Sequence, residues 1–189
     1  MRVVYDWLFM VLWMAFLVYW QVMAINTKKT EQLEPLASRA FRVLLFGVAI
    51  YLLTFRPPDA WLHVHLWPSN FETFWAGAAI TLAGLLFCVW ARVTLGRNWS
   101  RSVTIKEDHE LIVTGPYGLV RHPIYSGLFL AFIGTVLAEG QVRAVVAFGL
   151  VVLSLWLKLR LEEKWMRAQF GAQYEVYAGR VKAVVPGVL

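Results

Sequence analysis

Two clusters in this 189-residue chain have side-chain types and spacing suited to chemistry. One is Arg121-His122-Pro123-Ile124-Tyr125-Ser126-Gly127, and the other is Arg160-Leu161-Glu162-Glu163. In the first, Pro123 fits the opening turn of a helix, where no amide hydrogen is needed. The amides of such a helix start, with Arg121 and His122 beside them, favour an anionic group such as a carboxylate. His122 and Tyr125 are three apart and share one helical face, while Gly127 allows another backbone or a flat ligand to come close. The plainer reading of Arg-His-Pro is an anchor to lipid headgroups. In the second cluster, Arg160 and Glu163 have the spacing of a surface ion pair worth about 0.2–0.5 kcal/mol. Adjacent carboxylates near a membrane are costly when partly dehydrated, however, and a cationic ligand would offset them.

Those clusters need elements to hold them, and composition says which kind. The chain is 59% hydrophobic and 16% charged, which excludes both a soluble globule and intrinsic disorder. A single cysteine, Cys88, excludes an intramolecular disulfide framework. A crossing helix needs roughly 20 apolar residues. Residues 7–27 and 73–91 supply uncharged spans. A third span runs from about Pro35–Arg39 to the Pro57-Pro58 stop, with Arg42 reaching out to headgroups. Residues 122–138 and 144–157 are shorter runs joined by a Gly140 hairpin. The expected fold is therefore an all-α integral membrane protein of about five transmembrane helices. The whole chain, 1–189, reads as one membrane domain.

Fifteen of the eighteen Lys and Arg residues then fall on one side, and only Arg2, Arg56 and Arg143 on the other. The positive-inside rule puts the N-terminus outside and the C-terminus in the cytoplasm of a multi-pass inner or plasma membrane protein. Topology thus accounts for the net charge of +6, and no nucleic-acid module is recognisable. His63 and His65 lack a third ligand nearby, so no metal is expected. The polar segments 96–122 and 158–189 lie on the same expected side. The stripe Phe170, Tyr174, Tyr177 continues an amphipathic helix whose ordinary role is packing, and an extended tail follows from Val181 to Pro186.

Four ordered motifs carry a resemblance. They are His109-x-Leu111 before Gly115-Pro116-Tyr117; Arg121-His122-Pro123-x-Tyr125-x-Gly127; Arg160-x-Glu162-Glu163; and Phe170-Gly171-x-x-Tyr174-x-x-Tyr177-x-x-Arg180-Val181. From about Arg92 to Pro186 the chain resembles the isoprenylcysteine carboxyl methyltransferases and their prokaryotic relatives, close to the phospholipid N-methyltransferases. The resemblance implies residues 92–189 as a methyltransferase core and 1–91 as variable membrane helices. It implies S-adenosylmethionine as methyl donor, in a cytoplasmic pocket formed by the loop before the fourth helix and the C-terminal helix. Contacts to it are implied for His109, Leu111, Val113, Tyr117, His122, Tyr125, Gly127, Glu162 and Glu163. Arg160, and less directly Arg92, match positions near the reacting group. No Gly-x-Gly-x-x-Gly is present, in keeping with a pocket unlike the Rossmann type.

The expected acceptor is a lipid-like or prenylated small molecule entering from the bilayer, among membrane lipids. A carboxylate nucleophile needs no general base, whereas an amine, as in phospholipid N-methylation, needs one from Glu162, Glu163 or His122. A membrane reductase is a weaker rival, lacking any nicotinamide signature. A non-catalytic channel or assembly protein is the rival of another class, and the near absence of charge inside the spans argues against an ion pathway.

Overall fold

The computed structural model describes residues 2–24, 30–33, 35–55, 57–96, 104–106 and 111–187. Six α-helices lie among them: α1 (Arg2–Met23), α2 (Leu36–Thr54), α3 (Phe71–Leu95), α4 (Pro123–Glu139), α5 (Val142–Phe170) and α6 (Ala172–Arg180). Helices α2, α3 and α5 are each long and apolar enough to cross a membrane, while α1 and α4 offer shorter apolar stretches. Their outward faces carry exposed Val43 and Leu44 on α2, Leu86 and Val93 on α3, and Leu153 and Trp156 on α5. Water would not tolerate such continuous apolar surface, but lipid does. This is a membrane protein.

Local rules account for most boundaries. Asn70 caps α3 by accepting from the Thr73 amide at 2.9 Å, while the Thr73 hydroxyl accepts from the Asn70 amide at 3.0 Å. Pro123 opens α4, and Gly140, at φ +68°, closes it in the left-handed conformation that glycine adopts without steric cost. Three readings are corrected. Helix α1 begins at Arg2, not residue 7, and residues 25–27 of the expected span lie outside the described set. Helix α5 does not end at the first charge, Lys158, but runs unbroken to Phe170, because Lys, Arg and Glu are good helix formers. The expected continuous helix through Phe170 and Tyr177 instead breaks at Gly171, whose φ of +50° and ψ of −126° start α6 in a new direction. The fold also departs from all-helical in one antiparallel pair, β1 (Thr30–Leu33) with β2 (Thr104–Lys106).

Helices α3 and α4 approach so closely that their contact surface is backbone. A Cβ added to Gly84 would sit 2.5 Å from the Gly127 carbonyl oxygen, and one added to Gly127 would sit 2.5 Å from the Cys88 sulfur. Small residues at such spacing are how membrane helices gain dispersion contact without a hydrophobic driving force between them. Helix α2 packs on α5 through Ala49 and Leu52 against Ala147, Val151 and Leu155. Arg42 does not extend to headgroups; it is buried, and its Nη1 donates to Ser38 Oγ at 2.9 Å. At the other end of α2, buried Arg143 donates to the Leu52 and Leu53 carbonyls and to Glu139, at 2.7, 3.0 and 2.6 Å. A cation at the open carbonyls of a helix C-terminus complements the helix dipole, so Arg143 ties α2 to the α4–α5 turn.

Candidate functional site

The C-terminal tail approaches the start of α4. The amides of Arg121 and His122 donate to the carbonyls of Lys182 and Ala183 at 2.8 and 2.9 Å, and Val120 bridges Lys182 in parallel. These two donors, just outside the helix start, are therefore occupied by the tail, and within the first turn the Tyr125 and Ser126 amides donate to the His122 carbonyl at 3.0 and 3.1 Å. The physical cause is the tail itself: an extended segment presents its own carbonyls to the helix start.

The tail leaves the His122 ring facing α5. Its Nε2 lies 3.1 Å from Glu163 Oε1 and its Nδ1 lies 3.5 Å from Glu162 Oε2. Burial favours the neutral imidazole, but hydrogen bonds and charge from both carboxylates outweigh it, and His122 binds its proton more tightly than its ordinary 6.5. The ring also lies flat on Tyr125, with centroids 5.4 Å apart and planes 4° from parallel. A cationic ring on an aromatic face is favourable in a desolvated setting.

Glu163 is the junction of this cluster. Its Oε1 accepts from Arg121 Nε at 2.8 Å, from the Tyr174 hydroxyl at 3.0 Å and from His122, while Oε2 pairs with Arg167 at 3.0 Å. Arg121 also donates to the carbonyls of Ala178 and Val181. Burial, then the Glu163 charge, pushes the Tyr174 phenol up, so it remains a donor. Tyr177 donates to the Tyr117 carbonyl at 2.6 Å. The aromatic stripe of α6 therefore does more than pack, since its two hydroxyls lock α6 to α5 and to the turn before α4. The period-3 spacing of Tyr174 and Tyr177 was visible in the sequence, but the targets of their hydroxyls were not.

A cavity of about 910 Å³ opens beside this cluster. One polar end is walled by Tyr117, His122, Tyr125, Lys158 and Glu162, an apolar arm passes Phe46, Leu128 and Phe132 on α2 and α4, and the lining also includes Glu139, Gln141 and Arg143 at the α4–α5 turn. Met10, Met14 and Leu17 of α1 and Ile50 of α2 line the arm while remaining about half exposed, so the arm opens sideways between these two helices.

Of the residues expected to contact the donor, Leu111, Tyr117, His122, Tyr125 and Glu162 meet in the cavity wall. Glu163 stands behind it, holding His122. Gly127 lies in the α3–α4 seam, and Val113 is exposed. Arg92 is buried away from the cavity wall and donates to the carbonyls of Gly96 and Met23, bracing the ends of α3 and α1. Arg160 is exposed, with its guanidinium 5.8 Å from the Trp156 ring centroid. His109 lies outside the described residues. His63 contacts the Pro57 carbonyl, and His65 contacts Gln141, both of the latter pair lying on the cavity lining away from Glu162. Lys158 is a charged cavity residue that the sequence did not single out for the site. Its i, i+4 relation to Glu162 was the available signal.

The raised proton affinity of His122 has a measurable consequence. A group whose folded affinity is raised contributes stability fully below its unfolded value and loses it as pH rises through the folded value. Thermal stability in detergent is expected to fall on the alkaline side of about pH 6.5. The His122→Gln variant should start lower and show a flatter pH profile over that range. An unchanged profile in the variant would mean that the proton is held elsewhere.

Comparison with known sequences adds a second line. Residues 73–173 match the phospholipid methyltransferase family. The chain is 33% identical over 130 residues to protein-S-isoprenylcysteine O-methyltransferase B of Arabidopsis thaliana, covering 67% of this chain and 64% of that protein. It is 33% identical over 113 residues to protein-S-isoprenylcysteine O-methyltransferase of Saccharomyces cerevisiae, covering 58% of this chain and 47% of that protein. It is also 28% identical over 120 residues to the nickel-cobalt-cadmium resistance protein NccN of Alcaligenes xylosoxydans xylosoxydans, covering 62% and 55% respectively. The matched region thus spans about half to just under two thirds of these relatives.

Proposed function

Because this chain belongs to the phospholipid methyltransferase family, we propose that it is an S-adenosylmethionine-dependent carboxyl methyltransferase acting on an isoprenylcysteine-like amphiphile drawn from the bilayer. The observation that carries this reading is the form of the cavity. One chamber joins a polar end containing an aromatic-flanked carboxylate to an apolar arm that opens toward lipid. Its volume is near the upper bound of ordinary small-molecule pockets, roughly 300–1,000 Å³, which suits a donor and a lipid chain held together. On this reading α1 to α5 make five crossings, with the N-terminus outside, and the polar end of the cavity faces the cytoplasm, where the basic residues concentrate.

The residues present fit the donor. Its positive charge needs a desolvated counter-charge, and the Glu162 carboxylate in the cavity wall offers one, aligned by His122 and Lys158. When bound, S-adenosylmethionine supplies a methyl group on a cationic sulfur; transfer to a carboxylate oxygen forms an ester, breaks the methyl–sulfur bond, leaves a neutral thioether and moves no proton. The chain contributes positioning and the exclusion of water. Tyr117 and Tyr125 wall the polar end, and Glu163 fixes the His122 ring through its Nε2. The apolar arm holds the acceptor's tail, so that binding energy remote from the reacting centre orients its head. An amine acceptor remains the runner-up within the family, and Glu162 is the cavity carboxylate beside His122 and Tyr125 available to take its proton.

Calorimetric titration with S-adenosylmethionine and with its demethylated product tests the donor. Glu162→Gln is expected to weaken binding at least tenfold, about 1.4 kcal/mol. Arg160→Ala, which alters an exposed guanidinium outside the cavity, should leave binding and turnover within about threefold of wild type, since surface substitutions usually cost under about 0.5 kcal/mol. Undetectable binding by folded wild type would favour a non-catalytic membrane protein. Methyl label released by mild alkali marks an ester, and alkali-stable label marks an amine.

A further inference from the structure

We infer that Lys158 is the residue that selects the charge of the acceptor, docking a carboxylate at the polar end of the cavity and disfavouring an ammonium there. The inference rests on the methyltransferase reading and deepens it, because it decides between the acid and amine acceptors that the family chemistry allows. Three observations place Lys158. Its side chain lines the cavity beside Tyr125 and Glu162. Its Nζ lies 5.6 Å from the Tyr125 ring centroid, so the ammonium sits over an aromatic face and not in bulk solvent. The same Nζ is 3.7 Å from Glu162 Oε1, with both side chains about one-quarter exposed or less.

At that length the Lys158–Glu162 contact is a loose ion pair, longer than a charge-assisted hydrogen bond of about 2.7–2.9 Å. Glu162 has a second cationic neighbour in His122, at 3.5 Å. A cationic donor beside Glu162 would compete with Lys158 for that carboxylate and weaken its hold on the ammonium, which favours approach of a new anion. The acceptor's carboxylate is the anion that arrives at this end of the chamber. Arg42, buried on α2, adds to the positive field, because its charge also acts on Tyr125. An ammonium acceptor would meet Lys158 as a like charge in a partly desolvated chamber, where repulsion is costly.

Lysine also suits the chemistry. A bidentate guanidinium would hold both carboxylate oxygens, whereas a flexible ammonium can hold one and leave the other available as nucleophile. Arg160, two residues along α5, cannot take this place, because two residues of helix rotate a side chain by about 200°.

The test is equilibrium binding, so that it does not depend on turnover. N-acetyl-S-farnesylcysteine, its uncharged carboxamide and farnesylamine are titrated into wild type, Lys158→Met and Lys158→Arg in detergent saturated with sinefungin, an unreactive donor analogue that carries an ammonium in place of the sulfonium. Lys158→Met is expected to weaken the acid at least tenfold while leaving the carboxamide, and S-adenosylhomocysteine titrated alone, within about twofold. Lys158→Arg should restore the acid. Farnesylamine should bind wild type weakly and gain at least threefold in Lys158→Met. Unchanged acid binding in Lys158→Met overturns the inference, and so does equal weakening of acid and carboxamide, which would make Lys158 a packing residue. Failure of wild type to bind S-adenosylhomocysteine would instead overturn the methyltransferase reading itself.

Discussion

Glu163→Ala is expected to cost about 3–5 kcal/mol of stability, the range for breaking a buried ion pair by removing one partner. The reason is the number of donors that converge on this carboxylate. Arg121, His122 and Tyr174 all donate to Oε1, and Arg167 pairs with Oε2. Alanine would leave the Arg121 guanidinium and a proton-holding His122 without their shared counter-charge, in a site where Glu163 itself is only 7% exposed. Elements distant in sequence would loosen together: the start of α4, the tail that Arg121 holds, and α6. Binding of S-adenosylhomocysteine should weaken at least tenfold as a secondary effect, because the His122 ring would lose one of the two carboxylates that orient it. Glu163→Gln keeps one acceptor oxygen and should fall between alanine and wild type. Thermal unfolding in detergent measures the first effect and calorimetry the second. A melting temperature unchanged by alanine would show that the convergence on Glu163 contributes nothing net.

Gly134→Val should be comparably damaging for a different reason. A Cβ at Gly134 would collide with the Gly77 carbonyl oxygen and sit 2.5 Å from the Thr81 amide nitrogen. Both obstacles are backbone of α3, so neither can rotate away, and the added branch makes the collision worse. Overpacking usually costs about 1–3 kcal/mol, and a backbone-limited site should reach the upper end or beyond. The seam would open, α4 would shift, and His122 at its N-terminus would leave the carboxylates. We expect a melting temperature lower by about 5 °C or more. Gly47→Ala is the matched control: nothing lies within 4 Å of a Cβ at Gly47, so removing a helical glycine there should be neutral or slightly stabilising. Similar behaviour of the two variants would rule out steric contact at the seam as the cause.

How much of this was readable beforehand divides along physical lines. The Pro57-Pro58 stop, the Gly140 hairpin, Pro123 at the start of α4 and the facing of His122 with Tyr125 follow from nearest-neighbour rules that operate within a few residues. Each of them reappears in the structure. The length of α5 was misread because hydropathy reports which solvent a helix meets and not where the helix ends. The expectation for Arg160 came from the matching motif, and the structure leaves its guanidinium exposed beside Trp156. Once α5 continues past Lys158, Arg160 and Glu162 are two positions apart on one helix and point to opposite sides.

By itself the sequence established a membrane protein, most of the helix boundaries and the family motifs, since burial preference, turn chemistry and side-chain type are properties of short segments. Tertiary structure alone decided which cations face the cavity, where the amides just before α4 are satisfied, and that Glu163 joins three elements behind the wall while Glu162 lines it. Those outcomes depend on the rotation of α5 against α2 and α4 and on the return of residues 181–184 to α4. Both are set by contacts between positions far apart in the chain, which no local pattern encodes.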